Sequence, residues 1–315
     1  MVRMRFLTIL LVVQVALGGT LVALIATDNL PFSGGGSEAA ETDRSSSTEP
    51  SARTAASVPP PTVNRFNSKR AFGTLRRQVE LGPRPAGSRA SRRLARRLRR
   101  ALPNGRYQRV PGGLRNVIGS VRGRDPSRFI VVGAHYDTKD LRGFVGANDG
   151  ASGTAAVVQL ARHISRRRAE PTVIFALFDG EEAPRGAPEG EFERFGLRGS
   201  KVAAERYRGA EAMVLLDFVG ERGLRLPREG SSDVRLWERL RGAARRVGAG
   251  RVFPDRAQGV ITDDHTPFLR RGVPSIDLID FDFACFHRRC DDLDVVSRRS
   301  LDATGESVLE LLSTL

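Results

Sequence analysis

Acids and histidines gather where the apolar runs of this sequence stop. Residues 128–134 are rich in Phe, Ile and Val and lead into His135 and Asp137; Asn148, Asp149 and Gly150 then precede a helical stretch. Residues 172–178 end in Asp179-Gly-Glu-Glu182, and residues 212–216 end in Asp217. A last apolar run, 275–279, is followed by His287. A single acid after a strand is ordinary, because loops carry polar residues. The same arrangement at successive strand ends points to a site, since open α/β sheets hold ligands beyond the carboxyl ends of their strands. Carboxylate oxygen and imidazole nitrogen are the donors a catalytic zinc ion takes, with one position left open.

Glu181 and Glu182 are neighbours whose side chains diverge at a strand end. One can ligate a metal while the other faces substrate as an acid/base, tuned by partial desolvation and the nearby charge. A solvated acidic pair is the plain alternative. Asp263, Asp264 and His265 follow a Gly-Val-Ile-Thr segment; His265 is a candidate ligand or an orienting group. Cys285 and Cys290 flank His287 and read equally as ligands, a local bridge or free thiols, because spacing alone does not fix disulfide geometry. No cysteine pair has zinc-finger spacing. His163 lies on a helical stretch without an acidic neighbour and reads as structural or exposed.

The elements around these residues alternate. Helical periodicity marks 68–79, a segment capped by Ser88 through Arg100, the segment from Asp149 to about 167, 234–247, a short helix at 266–272 and a terminal helix over 300–315. Two short strands, 107–110 and 116–121, precede the apolar runs. Because most strands are continuously apolar, the fold class is α/β: one domain with a mostly parallel or mixed central sheet covered by helices on both faces. Residues 184–199 read as a long Gly-, Pro- and Glu-rich loop beside the site.

The chain has 315 residues, 40% of them hydrophobic, and a net charge of +15. That charge is carried almost wholly by Arg, with Lys only at Lys69, Lys139 and Lys201. Aromatic residues do not interleave with the Arg clusters as base-stacking platforms would, so no nucleic-acid partner is expected; solvated helix faces account for the charge, with weak attraction to anionic headgroups left open. Residues 1–5 carry Arg3 and Arg5, and 6–27 form an uncharged apolar run long enough to span a bilayer. The charges orient its N-terminus inside, giving a membrane anchor with an extracytoplasmic domain, or a secreted protein if the segment is a cleaved signal. Residues 28–63 are a disordered linker by composition, and 64–315 the folded domain. The sequence lacks a Gly-x-Ser-x-Gly elbow and a phosphate-binding Gly-x-x-x-x-Gly-Lys-Ser/Thr loop, which counts against serine hydrolases and nucleotide hydrolases of those types. It leaves the oligomeric state open.

At these residues the sequence resembles the zinc-dependent M28 peptidase clan, and within it the glutaminyl cyclases. The resemblance runs from about Asn64 to the C-terminus. It rests on Ala134-His-Tyr-Asp137, Ala147-Asn-Asp-Gly-Ala-Ser-Gly153, Phe178-Asp-Gly-Glu-Glu182, Leu215-Leu-Asp217 and His287 before Asp291-Asp292, with the cyclase character carried by Asp263-Asp-His-Thr-Pro-Phe-Leu-Arg-Arg-Gly-Val-Pro274. It implies that Asp149, Glu182 and His287 hold one zinc ion and that Glu181 shuttles the proton, with Asp217 and Asp264 orienting it. Phe286 and His265 would belong to the substrate pocket; Phe286 stands where animal cyclases carry Trp. The implied reaction turns an N-terminal glutamine of a peptide or protein into pyroglutamate. A two-zinc aminopeptidase is the alternative, with His135 and Asp217 as added ligands and Glu181 activating water. A binding module with a dead site would lack a ligand or base, and none is missing.

Overall fold

The computed structural model describes residues 57–164, 170–188 and 190–315. The apolar run 6–27 and the linker up to residue 56 lie outside the described residues. No helix among the described residues is long and apolar enough to cross a membrane.

The chain joins the domain earlier than its composition suggests. Val58 is 4% exposed within the main core, and the Thr62 N–H donates to the Val247 carbonyl at 2.9 Å. Helix α1 (Ser68–Val79) starts at Asn67, whose side chain accepts the Arg70 N–H; α2 (Arg89–Ala101) starts at Ser88, which caps Ser91 in the same way. Such caps satisfy N–H groups that the first helical turn leaves unpaired. The chain continues through β1 (Arg106–Val110), β2 (Leu114–Val121), β3 (Asp125–His135), α3 (Ala151–Ile164) and β4 (Pro171–Phe178). Next come α4 (Phe192–Phe195), α5 (Arg198–Arg206), β5 (Met213–Leu216), α6 (Val234–Arg246), α7 (Thr266–Leu269), β6 (Ser275–Leu278) and α8 (Arg298–Leu312). The segment read as one long loop therefore contains α4, and α5 begins two residues before Ser200.

The six strands lie in the order β1-β2-β4-β3-β5-β6. Strands β4, β3, β5 and β6 run parallel, while β2 is antiparallel to both β1 and β4. The sheet is thus mixed: a parallel quartet extended by a hairpin. Strand β1 forms one edge and exposes Arg106 and Arg109.

Alternation along the parallel strands sorts their side chains into two cores. Val132, Ala134, Phe175, Leu177, Val214 and Leu216 face one side with residues of α1, α2, α3, α6 and α8. Val131, Ile174, Ala176, Met213 and Leu215 face the other with α5 and Phe268 of α7. Apolar residues on both faces explain why these strands read as continuous hydrophobic runs. Helix α3 lies very close to β5, because a Cβ on Gly153 would fall 1.9 Å from the Leu216 carbonyl oxygen.

Candidate metal centre and active site

The parallel register delivers the chemistry. His135 is the last residue of β3 and pairs with Phe178, the last of β4, so the two strands end level. Asp179, Glu181 and Glu182 follow β4, and Asp217 follows β5, the neighbour of β3 on its other side. Backbone hydrogen bonds then fix these turns. The Asp137 carboxylate accepts the N–H groups of Gly180 at 3.0 Å, Glu181 at 3.3 Å and Glu182 at 3.3 Å. The Asp291 carboxylate accepts those of Asn148 at 2.6 Å and Asp149 at 3.0 Å. Between Asp149 and α3, Gly150 has φ +77°, and a Cβ there would lie 2.9 Å from the His135 ring, so only glycine lets the helix start this close to the imidazole.

Two triads result, and they share Asp149. In one, His135 Nε2 lies 3.2 Å from Asp149 Oδ1 and 3.2 Å from Asp217 Oδ1. In the other, His287 Nε2 lies 3.5 Å from Asp149 Oδ2 and 3.3 Å from Glu182 Oε1. Asp149 Oδ2 and Glu182 Oε1 are buried yet accept no hydrogen bond. Converging buried oxygens that the protein leaves unsatisfied, completed by an imidazole, suit a cation of the zinc type.

A cavity of about 370 Å³ opens onto both triads. Its walls include Phe192, Phe218, Ile261, Phe281 and Phe286, and its floor includes Glu181, Asp217 and Asp263. Burial and the adjacent Glu182 push the Glu181 carboxyl well above the usual carboxylate range, against the pull of His135. Burial also acts upward on Glu182, but the His287 imidazole facing it at 3.3 Å, joined by the Lys139 ammonium, outweighs burial and leaves this carboxyl below its ordinary value. The two neighbouring carboxyls are thus pulled in opposite directions, Glu181 above and Glu182 below the ordinary value, the pattern of an acid/base beside a ligand. Burial raises Asp217 to about 7, opposed by His135.

His135, Asp149, Glu181, Glu182, Asp217, Phe286 and His287 thus come together as the sequence suggests. Two expected residues do not line the cavity. Of the adjacent acids, Asp263 lines it, whereas Asp264 is fully buried, close enough for its charge to act on Glu181. His265 does not line the pocket: it is buried with Nε2 3.1 Å from Glu229 Oε2 and 2.9 Å from Ser231 Oγ, a structural position at the entry to α7. Cys285 and Cys290 are joined as a disulfide, so neither sulfur is a ligand. His163 is partly buried, and its ring meets the Arg65 carbonyl at 3.1 Å.

The sequence reading passed over Lys139, whose Nζ lies 3.0 Å from Glu182 Oε2 at the cavity wall. Its signal was a lysine, one of three in an Arg-rich chain, placed just past a strand end. The backbone-holding roles of Asp137 and Asp291 were also missed.

A mainly parallel sheet with carboxylates and imidazoles at its carboxyl edge, above an apolar cavity, defines an α/β fold of the zinc-exopeptidase type. The sequence model described as peptidase family M28 matches residues 116–312, and the chain belongs to that family. Among curated proteins, it is 29% identical over 233 residues to the glutaminyl-peptide cyclotransferase of Bos taurus, covering 61% of this chain and 64% of that protein. The match thus spans just under two thirds of that relative's length. It is 31% identical over 215 residues to a probable zinc metalloprotease of Leptosphaeria maculans, covering 53% and 47% of the two chains. Among solved structures, a leucine aminopeptidase precursor from Bacteroides thetaiotaomicron superposes with a TM-score of 0.73 at 26% identity, over 81% of this chain and 99% of that one. The glutaminyl cyclase of the same organism, bound to N-acetylhistamine, gives 0.72 at 26%, over 80% and 99%.

Proposed function

We propose that this chain is a zinc-dependent glutaminyl-peptide cyclotransferase that closes an N-terminal glutamine to pyroglutamate and releases ammonia. The observation that carries the reading is Glu181, a buried carboxyl that opens onto the cavity beside the Asp149, Glu182 and His287 triad. The similarity to the bovine and Bacteroides cyclases supports it.

A zinc ion held by Asp149, Glu182 and His287 supplies Lewis-acid polarisation of the side-chain amide carbonyl. The rest falls to the protein. The apolar walls hold the glutamine side chain folded back, so that the α-amine reaches its own amide carbon, a positioning effect that replaces an encounter in solution. The Glu181 carboxylate takes the proton that the α-amine loses as the new C–N bond forms. It returns that proton to the amide nitrogen, which leaves as ammonia when the old C–N bond breaks. Asp217 and Asp263 share the cavity floor with Glu181 and complete its acidic surroundings.

The second triad favours a second reading. His135, Asp149 and Asp217 would take another zinc ion, and the site would then be a two-metal aminopeptidase with Glu181 as base toward water. Zinc stoichiometry measured beside an assay with Gln- and Leu-initiated peptides separates the two. One ion per chain with ammonia from the Gln peptide alone supports the cyclase. Two ions with release of free Leu replaces it.

The same proposal places the enzyme outside the cytoplasm, tethered by the apolar run 6–27 or secreted after its cleavage. Support comes from the two arginines before that run and from the Cys285–Cys290 disulfide, which suits an oxidising compartment. Recovery of the chain in a cytosolic fraction overturns this part.

A further inference from the structure

Histidines that ligate metals ordinarily give their second ring nitrogen to a carboxylate, a carbonyl or water, and that bond fixes the ring. At His287 no carboxylate or carbonyl among the described residues fills that role. Its Nε2 faces Asp149 and Glu182, but no protein group among the described residues bonds its Nδ1, and the residue keeps 27% of its side-chain surface exposed. Its backbone is also unfavourable: φ is +50°, a left-handed conformation that L-residues other than glycine, asparagine and aspartate seldom take. A ring without an orienting protein group, on a backbone that would rather relax, needs another restraint.

The restraint lies on either side of it. Cys285 and Cys290 close a covalent loop around Phe286, His287, Arg288 and Arg289, with their Cα atoms 5.5 Å apart. Inside the loop, Arg288 N–H donates to the Cys285 carbonyl at 2.9 Å and forms a tight turn. The imidazole stacks on Phe286, with centroids 3.9 Å apart and planes at 25°, and meets the edge of Phe144 at 6.1 Å. Outside it, Arg289 Nε donates to the Arg142 carbonyl at 3.0 Å and ties the loop to the segment before Asp149.

We infer that the Cys285–Cys290 disulfide is the positioning element for His287: it holds the left-handed turn that aims Nε2 at Asp149 and Glu182, and so sets the affinity of the metal centre. The bridge does for this ligand what a hydrogen bond to the second ring nitrogen does elsewhere. The inference rests on the Asp149, Glu182 and His287 triad, not on which peptide reaction the centre runs.

The test is zinc affinity of the full chain, measured by chelator competition. Replacing both cysteines (Cys285→Ser with Cys290→Ser) is expected to weaken zinc roughly 10- to 100-fold, the range found when a group orienting a ligand is removed. A general loss of structure would also weaken zinc, so the decisive measurement is a double-mutant cycle with His287→Ala. If the bridge acts through His287, that substitution costs much less affinity once the bridge is gone. Strictly additive losses, or unchanged affinity without the bridge, overturn the inference. Should the double serine variant fail to fold, the folded wild-type chain is reduced with a phosphine, its thiols are capped with iodoacetamide and the reagents removed. The same drop is then expected, and undiminished zinc affinity overturns it. A wild-type chain that takes up no zinc removes the triad itself, and the inference with it.

Discussion

Asp137 and Glu182 belong to adjacent strand ends, and Asp137 Oδ2 accepts the Glu182 backbone N–H at 3.3 Å. With Gly180 and Glu181 bonded to the other oxygen, one carboxylate fixes the turn that presents Glu181 and Glu182. The bond is buried and charge-assisted, so its loss leaves N–H groups without partners. Asp137→Ala should cost about 3 kcal/mol, a melting point lower by roughly 6–12 °C for a domain of this size. Asp137→Asn keeps an acceptor and should lose less. Thermal denaturation of both variants checks the order.

Glu181 and Glu182 should separate by function. Glu181→Gln is expected to abolish turnover while zinc content stays near one equivalent or whatever the wild type holds. Glu182→Gln should lose zinc first and activity with it. Metal analysis beside kinetics decides, and loss of zinc in the Glu181 variant alone would reverse the two roles.

Glu221 and Asp280 form a second acidic pair away from the triads. Burial and each other's proximity raise Glu221 to about 7. Burial likewise raises Asp280 to about 6, where hydrogen bonds from the Arg225 backbone and Glu221 restrain it. Both folded values exceed the ordinary carboxylate range near 4. The native state therefore holds more protons than the unfolded chain, and stability present below about pH 4 is lost as pH rises through 6 to 7. Glu221→Gln removes one of the charges, so its denaturation midpoint should fall less than that of the wild type between pH 5 and 8. Urea titrations at several pH values provide the comparison.

Gly153 allows α3 to approach β5 directly beside Asp217. Gly153→Ala puts a methyl group where the Leu216 carbonyl oxygen stands. Main chain cannot yield as a flexible side chain does, so a cost of about 3 kcal/mol is expected. Chemical denaturation measures it, and an unchanged midpoint would mean that α3 does not lie against β5 as described.

The parallel strands and their polar ends were legible because each is a doubly buried apolar run that stops at a charge. Helices α1 and α2 were legible from periodicity and, for α2, from the cap at Ser88; the cap at Asn67 emerged only with the structure. The direction of β2 was not, since an apolar run carries no arrow. Which of Asp263 and Asp264 faces the cavity depends on the turn into α7, and adjacent residues in irregular backbone give no period to read. Asp291 acts on backbone N–H groups some 143 positions earlier in the chain, a contact that exists only after folding. The cysteines were readable as a possible bridge, but a bridge needs their Cα atoms brought within reach, and only the folded backbone does that.

The edge strand β1 has a further effect. Its outer backbone groups face solvent and offer a template on which another chain could hydrogen-bond. The strand is five residues long and projects Arg106 and Arg109, while Arg99 and Arg115 lie over the ring of its exposed Tyr107. Brevity and like charge both discourage strand-on-strand growth. These four arginines of a chain with net charge +15 thus guard against aggregation, and neutralising that rim should show as turbidity before it shows as lost zinc binding.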